Sequence, residues 1–461
     1  MTQDKLQRGF TADFAGPVLR LGDPGFEAAA RIWNGMFNCQ PSLIARCLDT
    51  SDVQAAIGWA RAARVSPAIR CGGHSLAGFS TCDGGLVIDL SQMRRVHVDA
   101  SVRSAHFSGG CLLGTVDSET QEFGLAFPAG VVSHTGAGGL ILGGGTGWLS
   151  RRCGLSCDNV LSFEVVLADG SKVRADAQNH PDLFWALRGG GGNFGVVTEF
   201  EVNLHPVSFV LFGRGLCPIG AVPSLLRQWR EFMSSAPDKL RWSFSLRIAG
   251  NADVAELRGK PVASASVLWV GDAEDGYSFV NGALTAQKHR AMMVEKVSFL
   301  KLQTMADSDF PHGRRYYTKS GYFRELEDQV IDTLMAALPK IPSVRSEVEL
   351  SYLGGAVGRV SAGDTAFGDR NSPFVLNILS HWSEAAEDAA NIEWTRRLFA
   401  NLRPWMTPGV YVNFMSADEE ERIPEAYRER WEKLREIKTK YDPDNLFRRN
   451  QNIPPYKSAS M

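Results

Sequence analysis

Glycine is unevenly distributed in this chain. The densest groups among its 46 glycines are Gly72-Gly73, Gly136 to Gly147 and Gly189 to Gly195. Linker glycines spread out, whereas clustered glycines let backbone approach a ligand that side chains would hold off. The first group lies in Arg70-Cys71-Gly72-Gly73-His74-Ser75. A helix-like run, Ser51 to Arg64, leads into the short apolar strand Pro67 to Arg70, and after the loop Gly84-Gly85 turns into a second strand, Leu86 to Leu90. By residue type the loop is either a glycine turn carrying a surface histidine or a cradle of backbone amides suited to an anionic phosphate, with His74 reaching the ligand.

The second group extends from Phe127 to Gly147, longer and denser than ordinary turns require, though it names no ligand by itself. In the third, Gly190, Gly192 and Gly195 satisfy GxGxxG. That motif should follow a strand and open a helix. Here it follows the helix-like Asp182 to Leu187 and opens the β-rich Val196 to Phe200, which rejects a nicotinamide dinucleotide site.

Length and charge narrow the class. A chain of 461 residues with 44% hydrophobic content suggests two domains, and a net charge of −2 offers no field favouring nucleic acid or an anionic membrane. A soluble protein with a small-molecule ligand is expected. The eight cysteines form no CxxC pair, so neither a zinc site nor a disulfide framework is predicted, and no metal is expected. Met1 to Leu21 lacks the apolar core of a signal peptide and no run of spanning length follows, which places the protein in the cytoplasm by expectation.

Apolar residues recur at helical spacing from Ser51, a candidate N-cap. Beyond about Val207 alternating aromatic segments such as Leu240 to Arg247 and Ala263 to Val270 mix with helical stretches, Leu225 to Ser234 and Gly321 to Leu338. This predicts an antiparallel sheet with covering helices, an α+β second domain. In Glu347 to Gly355, alternation puts Glu347, Glu349 and Ser351 on one strand face, either a solvated edge or a paired-carboxylate site. Tyr316 to Ser320 form a polar-aromatic cluster in which Lys319 is either a surface lysine or a stabiliser of negative charge. Tyr411, in Gly409 to Phe414, is either a buried core tyrosine or a substrate contact. Glu425 to Lys440 reads as a charged amphipathic helix.

Arg70 to Ser75, with Ala77-Gly78, Asp83-Gly84-Gly85 and Leu86 to Leu90, resembles the flavin loop of the vanillyl-alcohol oxidase and berberine-bridge-enzyme-like family. The likeness continues through Phe127 to Asn159, Asn193 to Val197, the Tyr-x-Asn segment at Tyr411 and the Asn450-Gln451-Asn452 turn, covering roughly residues 30 to 456. It implies a two-domain α+β fold of the p-cresol-methylhydroxylase (PCMH) FAD-binding type: residues 1–206 for FAD, 207–408 for substrate and 409–461 returning to the FAD domain. It implies FAD bonded through its 8α-methyl to His74. It further implies cofactor contacts from Arg70, Cys71, Gly72, Gly73, Ser75, Ser133, Thr135, Gly136, Gly138, Gly139, Gly143, Asn193, Gly195, Val197, Asn413, Asn450 and Asn452. Doubly linked relatives carry a second cysteine where this chain has Val132, so a single link is implied, with Cys157 a packed residue. Tyr411 and Glu349 are the expected proton acceptors on neighbouring strands, with Lys319 and Tyr317 next. The activity implied is oxidation of a small organic substrate, a natural-product intermediate such as a polyketide, with O2 as electron acceptor. A dehydrogenase, or a hydroxynicotine or sugar oxidase, is the alternative, with a non-catalytic flavin-binding protein the least favoured, and the chain is expected to be a monomer or homodimer.

Overall fold

The computed structural model of the protein describes residues 14–285 and 290–456. Most of the N-terminal stretch read above for a targeting signal lies outside them. Among the described residues no helix is long and apolar enough to cross a membrane.

Three large sheets and a two-stranded one, His205–Pro206 with Leu125–Ala126, organise the described residues. Val18–Leu19, Leu43–Arg46, Leu86–Asp89 and Ala68–Arg70 form a four-stranded sheet in that order, the last three strands running parallel. Val96–Asp99, Ser104–Ser108, Val196–Asn203, Val160–Val166 and Lys172–Asp176 form an antiparallel five-stranded sheet. The third has seven antiparallel strands: Arg290–Ser298, Phe209–Pro218, Pro261–Trp269, Leu240–Ile248, Glu347–Tyr352, Phe374–Trp382 and Arg315–Phe323. One apolar core, around Phe107, Phe163 and Phe200, combines residues between Ala105 and Leu204 with Val410, Tyr427, Leu434 and Ile453. A second, from Leu211 to Leu402, fills the helix-covered side of the seven-stranded sheet.

Alternation on that sheet decides what faces where. Leu240, Trp242, Phe244 and Leu246, with Val348, Leu350, Leu376 and Ile378, enter the helix-covered core. Their neighbours Arg241, Ser243, Ser245, Glu347, Glu349, Ser351 and Asn377 therefore project from the opposite face, because successive strand residues point to opposite sides. Contacts to the other domain lie on this polar face: the Arg241 guanidinium is 4.8 Å from the Trp148 ring centroid, and Tyr316 stacks on Trp33 at 3.6 Å.

Several local expectations change. The helix Thr50–Ala63 is capped by Asp49, whose side chain accepts from the Ser51 and Asp52 amides, and not by Ser51. Gly321–Phe323 complete a strand, and the helix begins only at Asp328. The expected helix from Glu425 to Lys440 breaks at Arg428, whose φ is 54°. Arg428 is drawn to Asp369, and the Arg430 guanidinium donates to the carbonyls of Ala362, Thr365 and Gly368, tertiary bonds that outweigh helix propensity. Tyr411 is not on a strand; it precedes the 3-10 turn Val412–Phe414.

A buried polar pair links the two domains. Gln303 Nε2, on the helix Phe299–Thr304, donates to Asp117 Oδ2 at 2.7 Å and to Gly130 O at 3.2 Å. Burial pushes the Asp117 carboxyl from 3.8 up to about 7, against the opposing effect of the Gln303 bond. Between those values the folded chain binds a proton that the unfolded chain releases, so this residue's contribution to stability falls as pH rises from 3.8 to about 7. Asp117→Asn should accordingly flatten that part of the stability–pH profile and gain on the parent above neutrality. Denaturation midpoints measured across the window check this; identical slopes in the two proteins would refute it.

Candidate active site

Two glycine loops meet backbone to backbone. A Cβ on Gly72 would lie 2.4 Å from Gly136 N, and one on Gly136 would lie 2.3 Å from Gly72 N. Neither position has room for a side chain. The contact joins the end of the strand Ala68–Arg70 to the start of the helix Ala137–Leu142, and it sets His74 beside His134. His74 Nε2 lies 2.7 Å from His134 Nδ1, and Thr135 Oγ1 lies 3.4 Å from His74 Nδ1. The His74 ring stacks on Trp33 at 4.8 Å, and Trp33 in turn stacks on Tyr316 of the seven-stranded sheet. Burial, then the neighbouring His134 and His312, holds the His74 imidazole well below its ordinary pKa. It is neutral at physiological pH and keeps a lone pair, as a nucleophilic attachment point requires.

The expected cofactor positions divide by their present partners. Arg70 is committed to structure, with an ion pair to Asp89 at 2.7 Å and a bond to Ala29 O. Cys71 Sγ points to Cys111 O, and Ser75 Oγ accepts from Phe79 N. Gly73 has a φ of +70°, a conformation that side chains resist. Ser133 is bound through N and Oγ to Asp307 of the other domain. Gly138 packs near Gly109 O, and Gly195 is pressed against Val165. Val197 is buried in the five-stranded sheet. Asn193 is a staple: Nδ2 donates to Gly190 O and Gln451 O while Oδ1 accepts from Ile453 N, which ties the C-terminal segment to the third glycine group. Asn413 packs on Gly143 and donates to Leu140 O and Tyr411 Oη.

The remaining positions have unmet capacity. Gly139 is exposed with open space where a Cβ would be, and the Oδ1 atoms of Asn450 and Asn452 are buried without a hydrogen-bond partner. Buried orphan acceptors are costly, and the hydroxyl and amino groups of a nucleotide are donors that would satisfy them. Glycine backbone open to close approach, orphaned carboxamides and a neutral histidine together fit FAD. Val132 offers no thiol. Cys157 is fully buried among Leu155, Tyr322 and Phe367, its thiol pushed well above its ordinary value by burial.

Across the domain boundary, Glu349 lies on the polar sheet face. Its Oε1 is 3.5 Å from Arg241 Nη2, and 34% of its side-chain surface stays accessible. Burial raises its pKa, with Arg241 opposing. Glu347, on the same face, accepts from Ser245 Oγ and is pushed up to about 7 by burial. Tyr411 comes from the C-terminal segment: its hydroxyl accepts from Gly145 N at 3.0 Å, and burial pushes its pKa up to about 12. Tyr317 and Lys319 are not brought to this face. Strand alternation splits the cluster, so Tyr316 and Thr318 face inward, while Tyr317 Oη and Lys319 Nζ contact Asp418 at 2.7 and 2.9 Å and Arg396 closes the network. Sequence reading missed His134 and His312, which no spacing rule connects to His74, and Arg241, whose role depends on strand pairing.

A nucleotide-receptive pair of loops facing a polar sheet that carries a carboxylate of raised pKa defines a two-domain flavoprotein oxidoreductase. The comparisons are specific. Residues 41–176 match the family described as FAD binding domain, and residues 410–454 match berberine and berberine-like. An FAD-linked oxidoreductase of Bacillus subtilis (strain 168) is 32% identical over 96% of this chain and 98% of its own length. The (R)-6-hydroxynicotine oxidase of Paenarthrobacter nicotinovorans is 30% identical over 95% of this chain and 97% of its own. The crystal structure of 6-hydroxy-D-nicotine oxidase from Arthrobacter nicotinovorans superposes with a TM-score of 0.86 at 28% identity, covering 97% of this chain and 99% of that one. The chain belongs to the berberine-bridge-enzyme-like family of FAD-linked oxidoreductases.

The Gly72–Gly136 contact generates a test. Gly136→Ala must separate the loops, and overpacking of this kind costs about 1–3 kcal/mol. The variant should melt below the parent and retain less FAD after gel filtration. Full flavin content and an unchanged melting temperature would show that the contact does not govern the site.

Proposed function

We propose that the protein is an oxidase that carries FAD through a single covalent link at His74 and oxidises a small organic substrate held against the polar sheet face. His74 and the glycine loops would hold FAD, which would supply hydride-accepting chemistry and reoxidation by O2. The observation that carries the reading is Glu349: a carboxylate with a raised pKa, on the face turned toward the flavin loops, still one-third accessible.

Glu349 takes the proton that leaves the substrate, and Arg241 beside it supports its ionised form. Tyr411 has a different part. Burial pushes its pKa up to about 12, so it stays protonated and is a poor base; its oxygen accepts the Gly145 amide, which fixes the position of its ring. Val132 in place of a second cysteine supports the single link, and the neutral His74 ring supports the site of attachment. The two half-buried carboxyls and the arginines of the sheet face favour a polar substrate, such as a hydroxylated natural-product intermediate. We assign the chain to the cytoplasm, with substrate and O2 as its partners, acting as a monomer or homodimer.

Two experiments test these assignments. Removing a general base costs about 10²–10⁴-fold. Glu349→Gln should slow anaerobic flavin bleaching by that amount with the flavin spectrum unchanged, whereas Tyr411→Phe should cost about tenfold or less, below the general-base range. Because Glu349 must be ionised to accept a proton, the parent's reduction rate should fall as pH drops through its raised pKa, and the glutamine variant should lose that limb. Equal rates in parent and Glu349→Gln would move the base elsewhere. Separately, FAD should stay with acid-precipitated parent and be released from His74→Ala; flavin retained by that variant would disprove the link.

A further inference from the structure

Three histidines from three distant segments converge where the domains meet. His74 is on the first glycine loop, His134 at the start of the second, and His312 on a turn of the other domain before the strand Arg315–Phe323. A ring nitrogen of each lies within 4.8 Å of the others. We propose that the chain, before flavin is attached, binds a divalent transition-metal ion of the zinc type between His74, His134 and His312.

The geometry needs little adjustment. In a tetrahedral zinc site with Zn–N of about 2.0–2.1 Å, ligand nitrogens stand about 3.3 Å apart. The 2.7 Å pair His74 Nε2 and His134 Nδ1 must open slightly, and the third nitrogen, at most 4.8 Å away, must close by no more than about 1.5 Å. His312 is exposed, on a turn that continues into Gly313 at a φ of +84°, and side-chain rotation there is unhindered by a core. Thr135 Oγ1, 3.4 Å from His74 Nδ1, can accept a hydrogen bond from the Nδ1–H and so leave the Nε2 lone pair directed toward the cluster, the outer-shell arrangement that metal-binding histidines use. Stacking on Trp33 fixes the plane of the His74 ring. Asp307, held on Ser133 at 2.8 and 2.6 Å, brings a carboxylate next to His134 in the chain and favours a cation. Three imidazoles without a carboxylate ligand suit zinc, nickel or copper and disfavour magnesium and calcium.

A consequence follows that rests on the attachment of flavin at His74. A neutral imidazole has one lone pair, and once it is donated to a metal none remains to attack the cofactor. Metal held on His74 should therefore delay covalent loading.

The test uses full-length chain produced without riboflavin and titrated with Co2+ as a spectroscopic stand-in for zinc. The expected result is one equivalent bound with visible bands of tetrahedral type. Loss of even an outer-shell partner costs about 10–100-fold in metal affinity, so His312→Ala and His134→Ala should each weaken binding at least that much. His97→Ala, removing an exposed histidine elsewhere, should not. Far-ultraviolet circular dichroism confirms that the variants fold, and His312→Gln repeats the test with a side chain of similar size. No stoichiometric cobalt binding by folded, flavin-free parent, or binding unaffected by the His312 and His134 substitutions, overturns the site. Flavopeptide mapping on the same preparation separates the two ideas: flavin found on a residue other than His74 removes the link and leaves a histidine-dependent cobalt site standing.

Discussion

The constraint on which the site depends is the contact between Gly72 and Gly136, where two backbones pass with no room for a Cβ on either side. The loops on each side inherit their positions from it. It brings His74 and His134 to 2.7 Å, and Trp33 and Tyr316 extend the arrangement as a ring stack into the seven-stranded sheet. A side chain at either glycine would separate the four-stranded sheet from the helix Ala137–Leu142 and disperse the cluster.

Facing these loops, the seven-stranded sheet separates stability from chemistry by alternation alone. The side carrying Trp242, Phe244, Leu350 and Ile378 buries apolar surface under helices. The other side keeps Arg241, Glu347, Glu349 and Asn377 at the boundary between domains, where partial burial raises both carboxyl pKa values. Desolvating a carboxylate works against folding, and the large core behind the sheet offsets that cost. The C-terminal segment completes the site from the other direction: Tyr411 reaches Gly145, and Asn193 ties Gln451 and Ile453 to the third glycine group.

The segments legible in the sequence were those with a strong local cause. The alternation of Glu347 to Tyr352 put Glu349 on the polar side, and the helix read before Gly190 and the strand read after it are present as Pro181–Leu187 and Val196–Asn203. Local cause failed where a partner distant in the chain decides. Glu425 to Lys440 has a helical pattern but breaks at Arg428, because Asp369 and the carbonyls of residues 362–368 bind the arginines there. Tyr317 and Lys319 belong to a polar run, yet the pleat turns them to Asp418.

By itself the sequence determined which residues could approach a cofactor and which faces of the strands could be polar, because glycine's lack of a Cβ and the two-residue repeat of a strand are local properties. The flavin-loop likeness and the missing second cysteine at Val132 are also written in it. Only the tertiary structure decided that His134 and His312 join His74, that Arg241 stands beside Glu349, and that burial keeps the proton on Tyr411. Each of these depends on loops and strands separated by tens to hundreds of residues being packed together, and the resulting burial and pairing shift the titration of His74, Glu347, Glu349 and Tyr411.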